Sequence, residues 1–342
     1  MKFGLWDHVD NNGLAIADLL ANRLEFVKAA DAAGFYSYHI SEHHATPLNV
    51  VPVPGVYLGA VARETKTMRM GPLCYLLPLY SPLRLIEEIC ILDHLSRGRL
   101  DVGVGRGVSP YELNYHNVDP ETSREVFEDA LDAIHQGLTH DRLNHQGKHF
   151  TYSDVPMELK PYQSPVPAIW YPSSNEVGSA WAGERGYHYV TLGATEAAQP
   201  RIEAFKAGFF KGDGALTPLT GFDGGAAIGI MRHMVIAETE KEAMATARPA
   251  YNLWYANLTK LQRENVSGPK IVGFVPPDLE SAMKAGSVLV GTPAHVREKV
   301  AEHTEVLGIN YLICGFYFGN IEHAHALRSL NLFAGEIAPA FC

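Results

Sequence analysis

A chain of 342 residues can bury a large core, as one elaborated α/β barrel or as two smaller domains. Its formal net charge of -10, with no Lys/Arg cluster to offset it, excludes a nucleic-acid partner, because the phosphate backbone needs a basic face. No apolar stretch is long enough to span a bilayer. The N-terminal residues run straight into a strand pattern, without a signal-peptide layout. Cys74, Cys90, Cys314 and Cys342 lie too far apart for a Cys-x-x-Cys pair, so free thiols in the reducing cytoplasm are expected.

Short apolar runs then alternate with helical patterns. Residues 3–6 read as a strand, and 17–33 as a helix with Leu20, Leu24, Val27 and Ala30 on one face and Gly34 as its stop. Residues 35–40 form the second strand and 56–63 the next helix. Residues 68–77 read as a third strand closed by Pro78, followed by a helix over 82–95 with proline at its start, as helix entry prefers. Strands at 100–105, 168–171, 187–192 and 227–238 are each followed by a helix, at 121–136, 175–184, 196–210 and 241–260. A helix at 292–307, a strand at 309–314 and a helix at 322–337 complete the series. Eight such alternations predict a parallel (β/α)8 TIM barrel with loop insertions, as a single domain over residues 1–342. A doubly wound sheet would need a Gly-rich turn after the first strand, and Leu5-Trp6-Asp7-His8-Val9 is not one. Two stretches break the repeat. Residues 140–165 are polar, turn-rich and aromatic, and suggest a small strand pair on the rim. Residues 263–290 carry Gly268-Pro269, Gly273 and Pro276-Pro277, as a lid or binding loop does.

Four features fall at strand ends or helix starts, where a barrel gathers its ligands. Glu42-His43-His44 follows the second strand. A carboxylate and two imidazoles are costly to desolvate there without partners, and histidine is the usual acid–base group near neutral pH. Neighbouring strand residues point to opposite faces, so His43 and His44 do not suit one shared metal, and no metal site is expected. Gly103-Val104-Gly105-Arg106-Gly107 lets backbone approach a ligand, and Arg106 offers a fork for phosphate; alone it is equally a tight turn with a surface arginine. Tyr171-Pro172-Ser173-Ser174-Asn175 precedes a helix, as an anion site or an ordinary N-cap does. Arg124 stands near the start of another helix. The ends of strands two, four and five open on one face, so a cofactor phosphate near Arg106, Arg124 and Ser174-Asn175 would leave its reactive part beside the histidines. Trp6, Tyr75, Leu77, Trp170 and Tyr171 are candidates for a dry pocket wall, or for plain core.

The chain resembles the bacterial luciferase-like flavin-dependent monooxygenases. The resemblance is carried by Glu42-His43-His44, Pro82-Leu83-Arg84 with Glu87-Glu88, the run 92–99, Gly103-Val104-Gly105-Arg106-Gly107, and Val290-Gly291-Thr292-Pro293. It implies a (β/α)8 barrel, a homodimer, and reduced FMN supplied by a separate flavin reductase. It further implies oxygenation by O2 of a small organic substrate, such as an aldehyde, through a flavin C4a-peroxide. His43 falls at the family's catalytic imidazole, with Glu42 and His44 beside it. Arg106, Arg124, Ser174, Asn175 and Gly178 fall where the family binds phosphate. Leu73-Cys74 falls where members carry a strand bulge with a cis peptide beside the flavin, and 268–287 matches the family's mobile loop. Gly105 stands where the luciferase subunit has a reactive cysteine, which puts a light reaction in doubt. The alternatives are a deazaflavin (F420)-dependent oxidoreductase, whose members usually lack the Glu-His-His run, a non-catalytic flavin-binding barrel, and a metal-dependent barrel hydrolase.

Overall fold

Apolar runs of four to six residues, bounded by glycine and proline, form parallel strands that are buried on both sides, as strands covered by helices must be. In this computed structural model, which describes residues 1–209, 221–222, 224–269 and 275–341, the strands close into a barrel. The sheet runs in the order Arg69–Pro72, Ser37–Ile40, Lys2–Asp7, Tyr311–Gly315, Ile228–Ile236, His188–Thr191, Ile169–Pro172, Val102–Gly105 and Tyr75–Leu76. A bridge between Met70 and Leu100, with Tyr75 and Leu76 registered on Val104 and Gly105, closes the gap. The expected barrel is thus present.

Three departures from the sequence reading have physical causes. The predicted strand over 68–77 is split into Arg69–Pro72 and Tyr75–Leu76, with the cis Leu73–Cys74 peptide between them. A further strand, Val288–Gly291, was read as insertion, its four residues being too few to announce themselves. It is needed because Ile228–Ile236 is long: the amino half of that strand pairs with His188–Thr191, and Val288–Gly291 takes over from His233 to Ile236. Finally, the first helix, Ile16–Ala32, buries Leu19, Arg23, Phe26, Val27 and Ala30, whereas Leu20 and Leu24 are only half-buried. The face is turned because Arg23 is drawn inward by Asp7, Nε to Oδ2 2.9 Å, with its guanidinium 3.2 Å from the centre of the Tyr317 ring.

One core layer lies between the strands and the helices. A second fills the barrel itself with Trp170, Tyr311, Leu73, Val190 and Ile313. Tyr311 Oη bonds His39 Nε2 at 2.8 Å, and a Cβ on Gly4 would lie 1.8 Å from that hydroxyl, so glycine is required there. Tyr75, Leu77 and Trp170 are fully buried core residues and do not line the cavity described below. The expected strand pair forms between Arg142–Gln146 and Thr151–Pro156. It follows the helix Ser123–Thr139 and precedes an amino strand end, so no residue of 140–165 reaches the cavity. The other interruption does reach it, through Val275, Pro276 and Ser287; Gly273 lies outside the described residues, as does Cys342.

Candidate active site

Residues from the carboxyl ends of the strands enclose a cavity of about 390 Å3. Trp6 and His8 come from the first strand end, Glu42 and His43 from the second, Leu73, Cys74 and Leu76 from the third, and Arg106 from the fourth. Ser173, Ser174, Asn175 and Gly178 come from the fifth strand end and the helix Glu176–Glu184. Of the ten site residues expected from sequence, the cavity gathers nine: Glu42, His43, Leu73, Cys74, Arg106, Arg124, Ser174, Asn175 and Gly178. His44 is not among its lining residues. Its Nε2 lies 2.8 Å from Glu42 Oε1 and its ring packs on His116, centroids 4.4 Å apart.

The carboxylate of Glu42 therefore serves His44 rather than His43. It also accepts from Leu76 N (3.1 Å) and Tyr80 Oη (2.9 Å), which ties the second strand end to the third. His43 is held instead by Glu112, a residue on the short helix Pro110–Tyr115 that sequence periodicity did not reveal. Glu112 Oε1 lies 3.3 Å from His43 Nδ1, and its other oxygen accepts from His44 N at 2.8 Å. Burial alone would lower the His43 pKa, but the charge and hydrogen bond of Glu112, with Glu42 and Asp10 behind it, outweigh burial and raise it. Glu112 shifts down in return, against its own desolvation, chiefly through His43. The pairing favours an imidazolium facing a carboxylate, with Nδ1 turned to Glu112.

Another part of the lining is cationic and polar. Arg106 is exposed and has no carboxylate partner among the described residues. Arg124 has one, Glu128 at 3.0 Å, with both side chains nearly half exposed, so that pair is weak. Asn175 caps its helix by accepting from Gly178 N at 2.8 Å, so the ordinary N-cap is realised. A Cβ on Gly178 would come within 2.6 Å of Ser173 Oγ. Gly105 is bound in the same way: a Cβ there would meet Cys74 Sγ at 2.2 Å, so the thiol at this place in the site comes from Cys74 and excludes a side chain at 105. Burial pushes the Cys74 thiol pKa up, which makes it a neutral wall rather than a nucleophile. The remaining wall, of Trp6, Met231, His233, Tyr251 and Trp254, is apolar or aromatic. His8, His233 and Trp254 went unmarked in the sequence because each is a lone residue of ordinary type.

The sequence profile of the family described as "Luciferase-like monooxygenase" matches residues 1–311. This chain belongs to that family. It is a luciferase-like monooxygenase, an oxidoreductase of a flavin-dependent class. It is 26% identical over 334 residues to limonene 1,2-monooxygenase of Rhodococcus erythropolis, covering 93% of this chain and 80% of the relative. It is 23% identical over 353 residues to the oxygenase component of flavin-dependent trigonelline monooxygenase of Acinetobacter baylyi, covering 100% and 96%. Its fold matches the oxygenating constituent of the 3,6-diketocamphane monooxygenase of Pseudomonas putida, a type II Baeyer-Villiger enzyme solved with FMN. The TM-score is 0.82 at 22% identity, over 100% of this chain and 99% of the other. No helix of the described residues is long and apolar enough to cross a membrane.

Proposed function

We propose that this luciferase-like monooxygenase takes reduced FMN from a separate flavin reductase and uses O2 to oxygenate a small, largely apolar organic molecule. The observation that carries the reading is that Arg106, a guanidinium with no carboxylate partner among the described residues, opens onto the same cavity as the His43–Glu112 pair. A phosphorylated flavin fits this donor set. Arg106 and Arg124, Ser174 and the start of helix Glu176–Glu184 would hold the phosphate. The ring would lie over Leu73 and Cys74, where Gly105 leaves room only for the thiol. Reduced flavin supplies the electrons that activate O2. His43 gives or takes the proton of the reacting oxygen at Nε2, and Glu112 orients the imidazole and favours its charged form. Trp6, Met231 and Trp254 exclude water from the reacting end. A relative named as an oxygenase component, and a fold neighbour solved with FMN, support the reductase and the cofactor respectively. The fused Glu42-His43-His44 segment, absent from most deazaflavin enzymes, weighs against F420.

Titrating FMN and riboflavin separates the phosphate site from the ring site. Arg106→Ala is expected to weaken FMN about 10- to 100-fold, the worth of a charge-assisted hydrogen bond, and to leave riboflavin binding unchanged. Equal FMN affinity in the variant and the parent protein would remove the phosphate assignment.

Homodimerisation belongs to the same reading. In the helices Pro54–Glu64 and Pro82–Ser96, Leu58, Val61, Leu85 and Leu92 are buried in the core. Other positions of the same two helices remain apolar and open: Val56 is 78% exposed and Ile91 51%, with Val53 and Leu95 beside them. This patch is proposed as the interface between two copies. Sedimentation should show a dimer for the parent protein and a monomer for Val56→Glu with Ile91→Glu; a monomeric parent at micromolar concentration would refute it.

A further inference from the structure

We propose that His8 is a hydrogen-bond donor of fixed tautomer, set by Trp6 and Trp254, that holds an acceptor oxygen of the substrate and so selects uncharged, carbonyl-type molecules. The inference deepens the monooxygenase reading and rests on it for the word substrate. The placement begins in the sequence. Asp7 ends the first strand, pinned by Arg23, by Tyr38 Oη at 3.1 Å and by Val9 N at 2.7 Å, and Val9 turns away with φ 54°. Both flanks of His8 are thereby fixed, and its ring is held at the cavity wall.

The indole Nε1 of Trp6 lies 3.2 Å from His8 Nδ1, and that of Trp254 lies 3.4 Å from the same atom. An indole can only donate. Two donors on one ring nitrogen require that it carry no proton, so the proton of the neutral imidazole sits on Nε2. That atom has no hydrogen-bond partner among the described residues, while the ring lines the cavity. The ring stays neutral because burial disfavours its charge, and the imidazoles of His43 and His233, with centroids at 5.7 and 6.3 Å, oppose it further. The titratable groups around it reinforce this. His233 is itself lowered to about 3 by burial. Asp10, raised by burial to about 6, spends its oxygens on Asn257 and Gly319. Glu112 is committed to His43 and His44.

This end of the cavity thus offers the His8 N–H beside His43, whose charge is paired with Glu112, and beside His233, whose Nε2 has no partner among the described residues. A cation finds no free carboxylate among the described residues there, and a hydrocarbon leaves the His8 N–H unsatisfied. A ketone or aldehyde oxygen satisfies it. Because Nδ1 accepts from both indoles, His8 cannot become an acceptor without breaking two hydrogen bonds.

Two readouts test this, each taken with and without FMN, so that a failure of flavin binding is seen separately. In protein labelled with 15N-histidine, His8 should show the Nε2–H tautomer and titrate only well below the usual histidine range. In calorimetry with cyclohexanone and the isosteric hydrocarbon methylenecyclohexane, the parent protein should favour the ketone about 5- to 10-fold, one net hydrogen bond. His8→Phe should abolish the preference, and His8→Gln, which restores an N–H, should recover part of it. An Nδ1–H tautomer, or a ketone preference that survives in His8→Phe, overturns the proposal.

Discussion

Replacing His43 with alanine is expected to leave FMN binding intact while product formed per flavin oxidised collapses, with turnover down about 100- to 10,000-fold, the range for a lost acid–base group. The cavity keeps its proposed phosphate end and its walls in this variant, because His43 follows the second strand, whereas Arg106 follows the fourth and the helix Glu176–Glu184 the fifth. The pair with Glu112 adds a pH signature. The His43 pKa is raised, so the protonated form, and with it the pair's contribution, is present at low pH and lost as pH rises through that raised value. Glu112 is lowered, so its share is lost only when pH falls through its own depressed value. In Glu112→Gln the largest influence raising His43 is gone, and burial lowers it against only Glu42 and Asp10. The alkaline limb of the rate profile should therefore move to lower pH. Product yield unchanged in His43→Ala, or a profile unmoved in Glu112→Gln, would dismiss the assigned role.

Arg23→Met is expected to cost about 3–5 kcal/mol of stability, the usual loss when one partner of a buried ion pair is removed. Arg23 is 0% exposed and Asp7 2%, so the carboxylate left behind has no water to turn to. Adding Asp7→Asn to Arg23→Met should recover much of the loss, because an amide is cheaper to bury than an unpaired charge. The sign of the pH dependence is fixed as well. Burial raises the Asp7 pKa even with Arg23 present, and more so without it, so folding costs more as pH rises and the carboxyl ionises. The deficit of Arg23→Met should be larger at pH 8 than at pH 5. Denaturant midpoints at the two pH values decide it; a loss below about 1 kcal/mol at both would show that the pair is not buried as described. The pair matters to the site because Asp7 fixes the strand end that carries His8.

Much of this architecture was readable in the chain because the strands are short apolar runs and the helices carry 3.6-residue patterns, signals that survive without tertiary context. Glu42-His43-His44 and Arg106 stood out since charged groups at a strand end are costly to place idly. What stayed hidden depends on folding in three dimensions. Glu112 sits on a helix of six residues, too short for periodicity, and is brought to His43 from 69 residues away. Trp254 reaches His8 across 246 residues. Nothing local in the sequence marks Arg23, which Asp7 and Tyr317 enclose only in the folded chain. The hairpin of residues 142–156 was legible as strands, but its remoteness from the cavity follows from which end of the barrel it joins.

A crystal structure with FMN bound tests the central claim most directly. The account predicts the phosphate against Arg106, Ser174 and the first turn of helix Glu176–Glu184, and the ring system over Leu73 and Cys74 with His43 at its edge. Flavin found elsewhere on the molecule, or its phosphate turned toward Trp6 and Trp254, would contradict it.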